Sequence, residues 1–237
     1  MNRIKDFLEV SKDAFLNTFK SLKNSYVLIL AVAIMSVFAI LRSAVIGGGL
    51  IVSIITYIID IMILSVIAGI LNSIINYNNT GKNSIQSGYK MYFNSIINAM
   101  FVVYIIEFLL TWTIQLANFP SSVNIVIMFL YRILVTPVIE LVYIAGFQGY
   151  GIIRECFRFI KQNSLIWIPY ALLFVFLDQI FVNRAMMMLG FHGVGVGFLL
   201  AMLVSVLIRS FFYIFKGHLF KNLYENSYRK RMFKRSF

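Results

Sequence analysis

The sequence is poor in the residues from which soluble enzymes build their sites. Its single cysteine, Cys156, excludes an intramolecular disulfide and any metal site made of several cysteines. Only 13% of its 237 residues are charged and 60% are hydrophobic. A soluble domain has about 25% charged and about 45–50% apolar residues. With only three prolines to interrupt helices, the chain has the composition of a helical membrane protein.

Acidic residues are also scarce. The chain has 9 aspartates and glutamates against 21 lysines and arginines, which gives a net charge of +12. In a soluble protein this excess would suggest nucleic acid as the partner. In a chain this apolar, we expect the partner to be the anionic inner leaflet of a bilayer, and no nucleic acid. Residues 1–24 carry charges throughout, so they do not predict a cleavable signal peptide.

Six segments approach the length of about 20 mainly apolar residues that a membrane helix needs. They are residues 25–41, 44–71, 96–117, 123–147, 164–182 and 194–215. The weakest boundary is the first, where only Arg42 and Ser43 separate two apolar runs. One helix from 25 to 71 would be far too long for a bilayer, so two spans are the better interpretation.

The basic residues predict the orientation of these spans. Seventeen of the 21 lie in the two terminal segments and in the connections 72–95 and 148–163, whereas the opposite side has only Arg42 and Arg184. By the positive-inside rule both termini are cytoplasmic. We therefore predict a multi-pass protein of the bacterial cytoplasmic membrane.

Three stretches of the chain resemble one another: FKSLKNSYVLIL (19–30), YKMYFNSIINAMF (89–101) and FRFIKQNSLIWIP (157–169). Each has an aromatic residue, a lysine or arginine, and Asn-Ser before a span. The pattern predicts an all-α, single membrane domain, 1–237, whose six transmembrane helices form three parallel hairpin repeats of about 1–80, 81–150 and 151–237. The alternative is that any point of entry into the membrane attracts aromatic and basic residues.

An apolar stripe at helical spacing precedes the first span. Its members are Ile4, Leu8, Ser11, Phe15, Phe19 and Leu22, with lysines beside them. Such a stripe is typical of an amphipathic helix in the membrane interface. We expect a similar interfacial helix at the start of each repeat.

The whole pattern resembles bacterial six-span families related to the glycerophosphoryl diester phosphodiesterase membrane domain and to the YciC-like inner-membrane proteins. The resemblance rests on the stretches SGYKMYFNSIINAMF, TPVIELVYIAGF and KQNSLIWIPYALLF. It implies a six-span membrane fold. In that group the membrane domain sometimes accompanies a soluble phosphodiesterase, which this sequence does not contain, so the resemblance implies no hydrolytic activity.

Six ionisable residues fall within the predicted spans: Asp60, Glu107, Arg132, Glu140, Asp178 and Arg209. Intramembrane charges usually face the protein interior and pair with one another. From depths estimated along the helices, we expect Asp60 to interact with Arg132, with Arg209 as the alternative partner. Glu140 and Arg209 lie at similar depth and are candidates for a second pair. Four acids then share two arginines, so these residues are candidates for a substrate or proton path. The alternative is that they are structural pairs that set helix register.

No motif for catalysis or for a cofactor accompanies these charges. HExxH, GxSxG and P-loop patterns are absent, and the predicted topology separates His192 from His218. We expect no enzyme activity, no metal and no cofactor. Two functions remain open. The first is binding or translocation of a lipid or other amphiphile at a polar intramembrane site. The second is a non-catalytic subunit, scaffold or immunity-type protein that assembles with a membrane partner or with a second copy.

Overall fold

The chain folds into helices joined by short connections. The computed structural model describes residues 2–44, 50–78, 83–192 and 196–234. Its helices are α1 (Asn2–Leu22), α2 (Tyr26–Ala44), α3 (Leu50–Tyr77), α4 (Asn83–Leu116), α5 (Ser121–Val135), α6 (Val138–Tyr143), α7 (Ile152–His192), α8 (Val196–Glu225) and α9 (Tyr228–Lys234). A short 3-10 turn, Gly149–Gly151, leads into α7. The described chain contains no strand, which confirms the all-α fold class.

Apolar helices of membrane-spanning length dominate the structure. Five stretches qualify by length and composition: α3, α4, α5 with α6, residues 149–177, and α8. The count rises to six if α1 and α2, which meet at 93°, are taken together as one bent span. Helix α2 coincides with the first predicted span, 25–41, and the total of six spans stays a prediction. These long apolar helices indicate a multi-pass membrane protein.

Helix α1 forms a corner with α2 and presents three different faces. One face is buried and carries mostly small residues, at Asp6, Val10, Ala14, Thr18 and Ser21. The second is the predicted apolar stripe, whose Ile4, Leu8, Phe15 and Phe19 are exposed by 39–67%. The third is polar and exposed, at Glu9, Asp13, Asn17 and Lys20. The amphipathic character predicted for this helix is therefore present in the fold.

The positions of breaks in the helices can be compared with the three Asn-Ser motifs of the predicted repeats. The first Asn-Ser motif lies in the corner between α1 and α2, and Asn163 of the third interrupts α7 with a φ of −122° and a ψ of 18°. The second, Asn94-Ser95, lies inside the unbroken α4. Pro137 separates α5 from α6, since proline cannot donate the backbone hydrogen bond that a continuous helix requires. Only two of the three motifs therefore mark a break, and the three-repeat arrangement stays a prediction.

Two features of the packing position the cleft described below. Helices α3 and α4 approach so closely at Gly88 that a Cβ there would lie 2.7 Å from the Cα of Gly69. Helix α8 contacts α1, α2, α3 and α7, and its buried Phe215 and Phe220 pack against aromatic rings of α1 and α7. The C-terminal part of α8 is consequently the element against which α1, α3 and α7 pack.

Candidate binding cleft

The predicted intramembrane charges are spread over six helices. They are Asp60 on α3, Glu107 on α4, Arg132 on α5, Glu140 on α6, Asp178 on α7 and Arg209 on α8. Asp60, Glu107 and Arg209 are half-buried, Arg132 is exposed, and Glu140 is buried. The side chain of Asp178 lies outside the described part of the structure.

The predicted pair between Asp60 and Arg132 is wrong. Arg132 Nη1 donates a hydrogen bond of 2.8 Å to Gln179 Oε1, so its partner is a neutral side chain of α7. Helix α5 packs against α7 in this region. The sequence estimate compared only depths along the helices, and depth does not say which neighbours two helices have.

The predicted pair between Glu140 and Arg209 is also wrong. Glu140 Oε2 lies 3.0 Å from Lys216 Nζ, with side-chain exposures of 1% for the acid and 14% for the lysine. Lys216 follows Arg209 by seven residues, which is about 10 Å along α8. The ammonium group also lies 6.0 Å from the centre of the Phe174 ring, a favourable position for a cation. This pair is therefore well enclosed by protein.

A polar cleft of about 820 Å³ opens where α1, the C-terminal ends of α3 and α8, and α9 come together. We call this end of the bundle the terminal face; it comprises residues 2–25, 74–78 and 216–234. The cleft is lined mainly by charged and amide side chains: Glu9, Asp13, Asn17, Lys20, Ser21, Asn76, Tyr77, Asn78, His218, Lys221, Asn222, Glu225, Asn226 and Arg231. Val10, Ile74 and Ile75 provide apolar surface. The cleft thus combines charges of both signs with many hydrogen-bonding groups.

Hydrogen bonds between distant parts of the chain shape one end of the cleft. Ser21 Oγ lies 3.0 Å from His218 Nε2, which joins α1 to α8. Lys221 Nζ donates to Asn76 Oδ1 at 2.7 Å, which joins α8 to the end of α3. Asn24 Nδ2 donates to the backbone oxygen of Asn78 at 2.7 Å. Because three helix ends are tied together in this way, this end of the cleft has defined walls.

A buried ion pair closes the opposite end. Arg231 of α9 donates from Nε to Asp6 Oδ1 at 3.0 Å and from Nη2 to Asp6 Oδ2 at 2.9 Å. Asp6 is 2% exposed and Arg231 is 7% exposed. Two parallel hydrogen bonds between a guanidinium and a carboxylate fix orientation as well as position. The pair holds the N-terminal and C-terminal helices together, so both ends of the described chain lie on the terminal face.

The chemistry that the cleft offers is that of charged, amide and hydroxyl side chains. Among the described residues no three histidine, cysteine, aspartate or glutamate side chains are grouped so that they could hold a metal ion. Cys156 is buried away from the cleft lining. The arrangement is suited to binding a polar group through charge and hydrogen bonds. No family model, curated protein or solved structure matches this chain.

Sequence reasoning missed this cleft, although two signals pointed toward it. The buried face of α1 is a stripe of small side chains, Ser11, Ala14, Thr18 and Ser21, and such stripes allow close helix packing. Helix α1 also carries three of the nine acids of a strongly basic chain, Asp6, Glu9 and Asp13, which suggests basic partners for this helix. Neither signal says that the partners are α8 and α9.

Proposed function

We propose that this protein is a multi-pass membrane protein that binds the polar head of a membrane amphiphile in the cleft on its terminal face. The observation that carries the proposal is the composition of that cleft. It is polar, has charges of both signs, and lies at the ends of long apolar helices, where the head groups of a bilayer would be. This proposal moves the binding site from the middle of the membrane, where the sequence had suggested it, to the interface.

The topology that we propose has six crossings with both termini in the cytoplasm. The Asp6–Arg231 pair holds the two chain ends on one face, and a chain with both ends on one side crosses a bilayer an even number of times. The terminal face also carries most of the basic residues in the described chain, which supports a cytoplasmic location for it. In this topology α1 lies in the inner interface with its exposed apolar stripe in the lipid.

The cleft and the stripe on α1 support each other in this proposal. The polar face of α1, with Glu9, Asp13 and Lys20, lines the cleft, while Leu8 and Phe19 on another face are exposed. A ligand with a polar head and an apolar tail would match both environments at the same depth. A soluble metabolite would use only the cleft.

Native mass spectrometry of the purified full-length protein in mild detergent tests this function directly. We expect bound lipid to survive purification and to titrate with a single strong site. Asn17 lines the cleft from an exposed position on α1, so Asn17→Trp should obstruct the cleft with little cost to folding. The variant should lose most of the bound lipid.

Gln115→Trp is the matched control, because Gln115 is also exposed but lies near the C-terminal end of α4, a helix that contributes no residue to the cleft lining. It should bind lipid like the unmodified protein. If Asn17→Trp and Gln115→Trp bind lipid equally well, the cleft is not the lipid site and the proposed function is wrong.

A further inference from the structure

Close packing in the bundle ends part-way along five of its helices. The boundary falls before Ile61 on α3, after Val103 on α4, before Tyr131 on α5, after Phe174 on α7 and before Val206 on α8. We call the part of these helices that lies beyond the boundary, away from the terminal face, the far half. Among its described side chains, Ile114 is the one that is buried.

The five helices form a closed ring, because each packs on the next. Helix α3 packs on α4, α4 on α5, α5 on α7, α7 on α8, and α8 on α3. Contacts between neighbouring helices continue into the far half, at Tyr57–Tyr104, Thr111–Met128 and Arg132–Gln179. Side chains that face the centre of a close-packed ring would be buried, whereas those of the far half keep part of their exposure. The far half therefore surrounds a space that solvent can enter.

Polar side chains of the far half face the inside of this ring. Side chains two positions apart on a helix point in nearly opposite directions, since each residue turns the helix by about 100°. Glu107 and Thr111 are half-buried, whereas Leu109 between them is 48% exposed. Ser205 is likewise half-buried, whereas Leu203 is 57% exposed. The polar sides of α4 and α8 are thus turned inward, and their apolar sides are turned toward the lipid.

Arg132 lies at the inner end of this space with most of its hydrogen-bonding groups unused. Its side chain is exposed, and its one hydrogen bond within the described chain goes to the neutral amide oxygen of Gln179. It forms no ion pair with a described residue. A guanidinium has five N–H donors and stays charged at physiological pH. Arg132 lies about 16 Å along the helix from Ser121, the start of its apolar stretch, which is about half the thickness of a bilayer core.

A charge at this depth is costly in hydrocarbon, and the cost falls when water or an anion reaches it. We propose that the far half encloses a water-filled vestibule, open on the side of the membrane opposite the terminal face, in which Arg132 binds small anions. The planar fork of spare donors matches the oxygens of a carboxylate or a phosphate. Glu107 of the neighbouring α4 faces the same space and weakens the attraction for anions. The vestibule and the cleft lie at opposite ends of the bundle, so the inference does not depend on the proposed function.

Single cysteines in the full-length, membrane-embedded protein test for water in the vestibule. Ser205 lies about 14 Å from the start of α8, so Ser205→Cys places a thiol deep in the far half. Leu203→Cys is its control on the lipid side, and the buried Cys156 of the unmodified protein gives the background. A membrane-impermeant methanethiosulfonate applied to intact cells should modify Ser205→Cys at least about tenfold faster than Leu203→Cys, because the reaction needs a hydrated thiolate.

Thr111→Cys, with Leu109→Cys as its control, repeats the comparison on α4. Equal rates within both pairs would overturn the vestibule. Modification in inside-out vesicles but not in intact cells would support the vestibule and contradict the proposed cytoplasmic location of the terminal face.

Two methanethiosulfonates of similar size and opposite charge then test the anion site in Ser205→Cys. Adding Arg132→Gln should slow the anionic sulfonatoethyl reagent about tenfold and should leave the cationic trimethylammonium reagent as fast or faster. Arg132→Lys, which keeps the charge, should preserve the rates, and Glu107→Gln should speed the anionic reagent. Arg158→Gln removes an exposed arginine outside the predicted spans and should change neither rate.

Competing anions identify the ligand class. Acetate or inorganic phosphate in excess should protect Ser205→Cys from the anionic reagent, and the stronger protector of the two names the class as carboxylate or phosphate. Protection should disappear in Arg132→Gln. Equal slowing of both reagents by Arg132→Gln, or no protection by either anion, would overturn the anion site and leave the vestibule standing.

Discussion

Removing Lys216 should leave Glu140 as an uncompensated carboxylate inside the bundle. The two side chains are 3.0 Å apart, and Glu140 is 1% exposed. Breaking a buried ion pair by deleting one partner costs about 3–5 kcal/mol, because the remaining charge keeps its desolvation penalty without its attraction. We expect Lys216→Met to lower the free energy of unfolding by about that amount, which is a large share of the total stability of a typical domain.

The double variant separates a true pair from two independent losses. Replacing both members, as Glu140→Leu with Lys216→Met, removes both charges and leaves apolar groups of similar size. Such replacements are often neutral or stabilising. The double variant should therefore recover most of the stability that Lys216→Met loses, giving a coupling energy of about 3 kcal/mol in the double-mutant cycle.

The chain supplies its own fluorescent probe for this experiment. Trp167 is buried and packs against Phe159 and Phe220, so its fluorescence reports on the core. Trp112→Phe leaves it as the single tryptophan. Unfolding by SDS titration in mixed micelles would then give the free energies.

The ion pair Glu155–Arg158 is the control, because its arginine is 54% exposed and the two residues lie on one helix. Breaking it should cost about 0.2–1 kcal/mol. If the losses at positions 140 and 216 simply add, or if Lys216→Met costs no more than the control, the two side chains are not coupled and this reasoning fails.

Three other expectations concern packing, the chain ends and topology. Gly88→Ala should destabilise the fold by about 1–3 kcal/mol, because its Cβ would press on the α3 backbone. Gly197→Ala, with open space around it, should be neutral or stabilise α8 by up to about 1 kcal/mol. Equal effects of the two substitutions in the unfolding titration would refute the close contact. Arg231→Gln should break the buried pair that joins the two chain ends, and faster proteolysis of a C-terminal tag would detect it; unchanged proteolysis would count against the contact. Reporter fusions should place Asn118 outside the cell and a tag after Phe237 inside, and an outside C-terminus would rule out the proposed orientation.

Most of the helices could be predicted from the sequence, since runs of apolar residues and their spacing are local properties. The amphipathic helix at the N terminus followed from the spacing of residues such as Leu8 and Phe19, which the structure leaves exposed. The prediction of separate interfacial helices before the other hairpins did not anticipate that α4 runs unbroken into its apolar core, whereas Asn163 interrupts α7 just before the predicted span 164–182. A helix continues wherever propensity allows it, and a change of environment does not by itself end it.

The pairing of charges was much harder to predict. Glu140 was recognised as a buried acid, but its partner was taken to be Arg209 instead of Lys216. Lys216 sits at the end of an apolar run, where a lysine is expected to reach toward water. Its ammonium group instead contacts Glu140 of α6, the short helix that follows Pro137. Arg209 and Lys216 are separated by about two turns of α8, and a depth estimate from sequence did not distinguish between them.

The sequence by itself determined that this chain forms long apolar helices, that its first helix is amphipathic, and that acids are rare in it. These follow from composition and from the period of 3.6 residues, which depend only on neighbouring residues. Only the tertiary structure decided that the rare acids of α1 and α8 meet in one cleft. Asp6 and Arg231 are separated by 225 positions in the chain, and no local pattern encodes a contact that forms only when the helices between them have packed.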